Sequence, residues 1–131
     1  MLKEFFTNNK IDILINCVAY TNVNNAEIKK YLISKGFRVL KLSQYSFKEQ
    51  VNFFKNAKII IGPHGAGFAN LAFCKKNTKV IEIKPLDHPN KVYETICKIN
   101  KLKYKLIKLK KIKNRKTGDM FLNKKIINKH I

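Results

Sequence analysis

The residues best suited to chemistry sit in one loop, Gly62-Pro63-His64-Gly65-Ala66-Gly67, between an apolar run, Lys58 to Ile61, and a short helical stretch through Asn70 and Phe73. Gly65 and Gly67 flank Ala66 where a strand turns into a helix. Residues this small let a phosphate approach the N–H groups exposed at a helix start. The same Gly-x-Gly spacing also serves purely structural tight turns. His64 can contact a phosphate, orient a bound group, act as an acid or base near neutral pH, or brace the loop. Asn70, three residues after Gly67, is placed on the first helical turn to hydrogen-bond the loop or a ligand. Glu82 falls near the end of the following strand. An acid there accepts hydrogen bonds from ribose hydroxyls in dinucleotide folds, and a strand-end glutamate is also simply solvated in many others.

These residues depend on the order of elements around them. Ile11 to Ala19 is apolar apart from Asp12 and Asn16, as expected of a strand covered on both faces. Thr21 to Asn25 supplies N-cap residues for a helix over Ala26 to Lys35, with Gly36 at the C-cap. Phe37 to Lys41 reads as a second strand. Ser46-Phe47-Lys48-Glu49 has capping-box spacing, with Val51, Phe54 and Ala57 continuing an apolar face that ends near Asn56. Lys58 to Ile61 and Val80 to Ile83 are the third and fourth strands. Asn90 to Asn100 reads as a helix with Val92, Ile96 and Ile99 inward, and Tyr104 to Leu109 as a fifth strand. Lys108 to Lys116 is lysine-rich and reads as a solvated linker before a terminal helix, Met120 to Lys129.

Strict alternation with apolar strands predicts an α/β domain: a Rossmann-like parallel sheet with helices on both faces, joined by right-handed crossovers. Ligands bind beyond the carboxyl ends of such strands, which puts the Gly62–Gly67 loop on the functional edge. Residues 1–109 form that domain in this reading, and 110–131 a basic tail with its helix. His88, in the Leu86-Asp87-His88-Pro89 turn, and His130, at the terminus, are expected to have no functional role.

Composition narrows the classes further. The 131 residues suit one domain, and no apolar stretch approaches the length of a membrane span. The amino terminus carries Glu4 and no long apolar run, so the expectation is a soluble, cytoplasmic chain. The formal charge of +20 invites a nucleic-acid reading, but 26 of the basic residues are lysines and only Arg38 and Arg115 offer the bidentate fork. Lysine, asparagine and isoleucine are abundant together, as in an AT-rich coding sequence, and the aromatics fall at core spacing. Nucleic acid is therefore disfavoured, while a polyanionic partner stays open. Cys17, Cys74 and Cys97 read as reduced core thiols, and with three histidines and no ligand spacing neither a metal nor another cofactor is expected.

The run Ser46 to Val51, Ala57 to Gly62, His64 to Gly67, Asn70, Phe73 and Val80 to Ile83 resembles the carboxy-terminal part of glycosyltransferase family 61. The resemblance covers Asn25 to Leu109. It implies half of a GT-B architecture, in which two Rossmann-like domains face one another, and a metal-independent, inverting transfer from a nucleotide-sugar donor to a glycan or protein acceptor. In that setting the loop chemistry above makes His64 the catalytic candidate, and Gly65, Ala66, Gly67, Asn70 and Glu82 the substrate-binding ones. The family's amino-terminal acceptor domain is not replaced by Met1 to Lys10, which implies either a separate chain carrying that domain or a catalytically inactive nucleotide-binding remnant.

Overall fold

The computed structural model describes residues 11–15, 26–110 and 122–131. The Thr21–Asn25 cap, Cys17 and the lysines from 111 to 116 lie outside the described residues. Five strands form one sheet: β1 (Ile11–Ile15), β2 (Phe37–Leu40), β3 (Ala57–Pro63), β4 (Lys79–Pro85) and β5 (Lys103–Leu109). The spatial order is β2-β1-β3-β4-β5, and every neighbouring pair is parallel. Between them run α1 (Ala26–Ser34), a short 3-10 turn (Leu42–Gln44), α2 (Phe47–Asn56), a 3-10 helix (Ala66–Phe73) and α3 (Val92–Ile99). The chain ends with α4 (Lys124–Asn128). The α/β expectation and the parallel pairing of β3 with β4 both hold, Ile60 standing opposite Val80 and Ile61 opposite Ile81.

Side chains alternate across a strand, so consecutive apolar residues feed two different cores. Ile60 and Val80 pack with Phe53 and Phe54 of α2, Phe68 and Leu71 of the 3-10 helix and Cys97 of α3. Ile61, Ile81 and Ile83 pack on the other face with Ile28 and Leu32 of α1, Ile127 of α4 and Leu122 just before that helix. Helices thus cover both faces, which is why β3 and β4 read as unbroken apolar runs. Phe53 and Phe54 are wholly buried, and truncating either to alanine costs about 3–5 kcal/mol.

The helix ends follow from local chemistry. Ser46 Oγ accepts from the Glu49 N–H at 3.2 Å and the Glu49 carboxylate accepts from the Ser46 N–H at 3.0 Å, closing the expected capping box. Gly36 ends α1 at φ +90°, a backbone that favours glycine. Lys101 plays the same part after α3 without being glycine, at φ +56°. There the Leu102 N–H donates to the Cys97 carbonyl at 2.8 Å and the Lys101 N–H to that of Lys98 at 3.3 Å, the paired bonds of a Schellman motif.

Two expectations need correction. In α3 the inward residues are Tyr93 and Cys97, with Ile96 packed beside them, whereas Val92 and Ile99 are 43% and 71% exposed. Tyr93 and Cys97 lie four apart on one stripe, and the bulk of the tyrosine ring over the sheet outweighs the branched residues at either end. The terminal helix starts at Lys124, later than Met120, because Asn123 Oδ1 accepts from the Ile126 N–H at 2.9 Å and caps it there. No helix among the described residues is long and apolar enough to cross a membrane.

Candidate functional site

The strand order reverses direction between β1 and β3, and in open parallel sheets ligands settle in the crevice at such a switch point. β3 leads straight into it. Pro63 lies past the last β1 partner, Leu14 opposite Ile61, so its missing N–H forfeits no bond on that side. The His64 N–H then donates to the Ile83 carbonyl at 2.8 Å, and the chain leaves the sheet. Gly65 is extended, at φ 175° and ψ 171°, and caps the 3-10 helix, whose first closing bond runs from the Phe68 N–H to the Gly65 carbonyl at 3.0 Å. Phe68 is wholly buried, edge-on to the Tyr93 ring at 5.6 Å, and anchors the helix start. The leading N–H groups of a helix lack intrahelical acceptors, so those of Ala66 and Gly67 fall at the switch-point edge. Ala66 is exposed and Gly65 and Gly67 half-buried. Among the described glycines only Gly36 lies in the left-handed region, so the small residues of this loop are not required by a left-handed backbone.

Behind the loop stands a buried polar cluster. Glu82 is 1% exposed, and its carboxylate is fully engaged by protein groups. Oε1 accepts from the Tyr104 hydroxyl at 2.7 Å and lies 3.5 Å from Lys84 Nζ; Oε2 lies 3.2 Å from His64 Nδ1. A carboxylate only accepts, so Nδ1 carries the proton and Nε2 is the basic nitrogen of the neutral ring. Lys84 is 2% exposed and also donates to the Asn90 carbonyl at 2.7 Å. Glu82 and Lys84 are two apart on β4 and so share a face, which makes their pairing a product of the strand itself. Burial and the hydrogen bond to Glu82 together push the Tyr104 hydroxyl well above its ordinary range.

The His64 ring is packed between two others, His88 at 4.2 Å and Tyr93 at 4.8 Å between centroids. The neutral His88 accepts from the Asn90 N–H at Nδ1, 3.3 Å away. Burial, with His64 and Lys84 nearby, lowers its pKa, against a smaller opposing pull from Glu82 and Asp87.

The sequence-derived candidates thus divide. His64, Gly65, Ala66, Gly67 and Glu82 converge on one edge, with Glu82 beneath the loop instead of at its rim. Asn70 turns away: its amide donates to Gln50 Oε1 at 2.9 Å, while Gln50 Nε2 donates to the carbonyls of Leu42 and Tyr45. It ties the 3-10 helix to α2 and the turn before it. His88 stands against the His64 ring, closer to the loop than its turn position alone suggests. The signal was present, because the Leu86–Pro89 turn follows β4 as the Gly62–Gly67 loop follows β3, and neighbouring parallel strands place those turns side by side. Tyr104 and Lys84 were missed because nothing in a lysine-rich strand distinguishes the residue that faces an acid. Among the described residues no three His, Cys, Asp or Glu side chains are grouped to hold a metal ion. The free thiols Cys74 and Cys97 are both pushed up to about 12, chiefly by burial, and are chemically quiet.

The parallel sheet covered by helices on both faces defines an α/β domain, with a small-residue loop and a polar cluster at its switch point. Residues 21–81 match the model of the family described as Glycosyltransferase 61. Beta-1,2-xylosyltransferase of Arabidopsis thaliana is 35% identical to this chain over 63 residues, which is 48% of this chain and 12% of the relative. The chain therefore spans about an eighth of that relative's length.

Proposed function

We propose that this chain is the donor-binding half of a GT-B glycosyltransferase, and that the loop His64–Gly67 receives the diphosphate of a nucleotide sugar. The observation that carries the reading is the exit of this loop at the β1/β3 switch point, straight into a helix start free of bulky side chains. The family match over 21–81 ends on β4, so it includes the whole loop. Backbone N–H groups at the start of the 3-10 helix supply donors to the phosphate oxygens.

In an inverting transfer the acceptor hydroxyl attacks the anomeric carbon from the face opposite the leaving diphosphate. The carbon–oxygen bond to the acceptor forms as the bond to the phosphate oxygen breaks, the acceptor's proton passes to a base, and the nucleoside diphosphate departs with the bonding electrons. His64 adjoins the phosphate cradle, which puts it on the leaving-group side. Its role in this reading requires the imidazolium, which donates through Nδ1 to Glu82 and from Nε2 gives a hydrogen bond or proton to the departing diphosphate. The base then belongs to the acceptor side of the enzyme, on a separate chain or domain. Glu82 acts here as a positioning residue instead of a ribose ligand, because its oxygens are engaged within the protein.

Calorimetric titration with a panel of nucleotide sugars, beginning with a nucleotide-linked xylose, tests the reading. Binding of at least one donor, weakened by Gly67→Val in a folded protein, supports it; no binding across the panel contradicts it.

A further inference from the structure

A second cleft, of about 300 Å³, opens at the opposite edge of the sheet, where β3 and β4 begin. Its lining includes Lys55, Lys58, Lys75 and Lys76, together with Asn77 and Thr78. All four lysines are exposed, and none has a carboxylate partner among the described residues. The described acidic side chains lie elsewhere. Glu27, Glu49 and Glu94 stand in the first turns of α1, α2 and α3, Glu82 is within β4 and Asp87 lies beyond its carboxyl end. Helix starts in a parallel α/β sheet lie at the carboxyl edge, so these acids stand away from the cleft.

Helix polarity accounts for only part of this. Lys55 occupies the last turn of α2, where a cation is favoured by the helix dipole. Lys75 and Lys76 belong to the turn after the 3-10 helix and Lys58 to β3, so neither the dipole nor a salt bridge explains why they converge. The turn beneath them is rigid. Thr78 Oγ1 donates to the Lys75 carbonyl at 2.8 Å, and the Asn77 N–H donates to the Lys101 carbonyl at 3.0 Å. Asn77 is itself at φ +71°, the left-handed conformation that asparagine adopts more readily than most residues. A concave surface lined by four lysines, with no acid among the described side chains to relieve them, is complementary to a multiply charged anion.

We propose that this amino-edge cleft is a phosphate-binding site, separate from the loop at the carboxyl edge, for a phosphate ester carried by a soluble saccharide or by a phospholipid headgroup. It does not depend on the glycosyltransferase reading. The test titrates the full chain, labelled with nitrogen-15, with inorganic phosphate and follows the amide resonances. Saturable shifts at residues 55–58 and 75–78 are expected. Lys75→Glu with Lys76→Glu should weaken that binding by about fivefold or more, while Lys124→Glu with Lys125→Glu, the same charge change on α4, should alter it less than about twofold. Lys75→Gln with Lys76→Gln repeats the comparison without introducing acids, and circular dichroism checks each fold. Sedimentation with vesicles of phosphatidylglycerol in phosphatidylcholine separates the sources. Sedimentation abolished by the cleft pair identifies the headgroup, and phosphate shifts without sedimentation identify the soluble ester. Shifts confined to 64–67, no shifts at all, or equal losses in the cleft and α4 pairs overturn the proposal.

Discussion

The Tyr104 hydroxyl donates to Glu82 Oε1 at 2.7 Å, although the two residues are not opposite one another in the sheet. Tyr104 stands across from Val80 and Glu82 from Leu106, so the contact is a diagonal one between β4 and β5. It makes the edge strand part of the site, since β5 holds through Glu82 the ring of His64.

Tyr104→Phe should therefore destabilise the fold by about 1–3 kcal/mol, the cost of leaving a buried acceptor short of a donor. Glu82→Gln should cost more, about 3 kcal/mol, because it also leaves the buried Lys84 ammonium without its counter-charge. Urea unfolding of both variants checks the order. Equal and negligible losses would mean that the cluster is solvated.

Stability should fall as the solution is acidified from neutral. The folded-state pKa of His88 lies below its ordinary value of 6.5, so below about that pH the unfolded chain binds more protons than the folded one. Stability due to this group is present above 6.5 and is lost as pH falls toward the lowered folded-state value. Protonation also removes the lone pair that accepts from Asn90. Melting temperatures from pH 7.5 down to pH 5.5 should show a decline that is shallower in His88→Gln.

Two helix caps make opposite predictions. Gly36→Ala meets no atom within 4 Å, so only the positive φ opposes it, at about 1 kcal/mol. Lys101→Gly should stabilise by up to about 1 kcal/mol, because lysine already carries that penalty. Thermal melts of the two variants should shift in opposite directions by about 3–5 °C.

The elements were legible where local chemistry decides them. The Ser46–Glu49 capping box, Gly36 and the apolar runs of β3 and β4 each act within a few residues, so their outcome can be read off the chain. The site was legible as a loop and not as a cluster. His64 is identifiable because it follows a strand and Glu82 because it is the acid in the next apolar run, but β4 continues past Glu82 to Pro85, and its burial depends on Tyr104 and Lys84, which a diagonal register and a shared strand face bring to it. The misplaced face of α3 has the same origin, since Val92, Ile96 and Ile99 fit a stripe as well as Tyr93 and Cys97 do until the sheet beneath them is known. Asn70 reads as a candidate from its distance to Gly67, and only the packing of α2 shows that Gln50 takes its amide.

The loop's role as donor site is tested most directly by Gly67→Val. Gly67 adopts no left-handed backbone, so a side chain there should act chiefly by filling the space that the diphosphate needs. Titration of the folded variant with the nucleotide sugar that binds the unaltered chain best should show affinity lower by at least about tenfold, roughly 1.4 kcal/mol, with little change in melting temperature. Unaltered affinity together with a lowered melting temperature would show that the loop is a structural turn and contradict its assignment as the donor site.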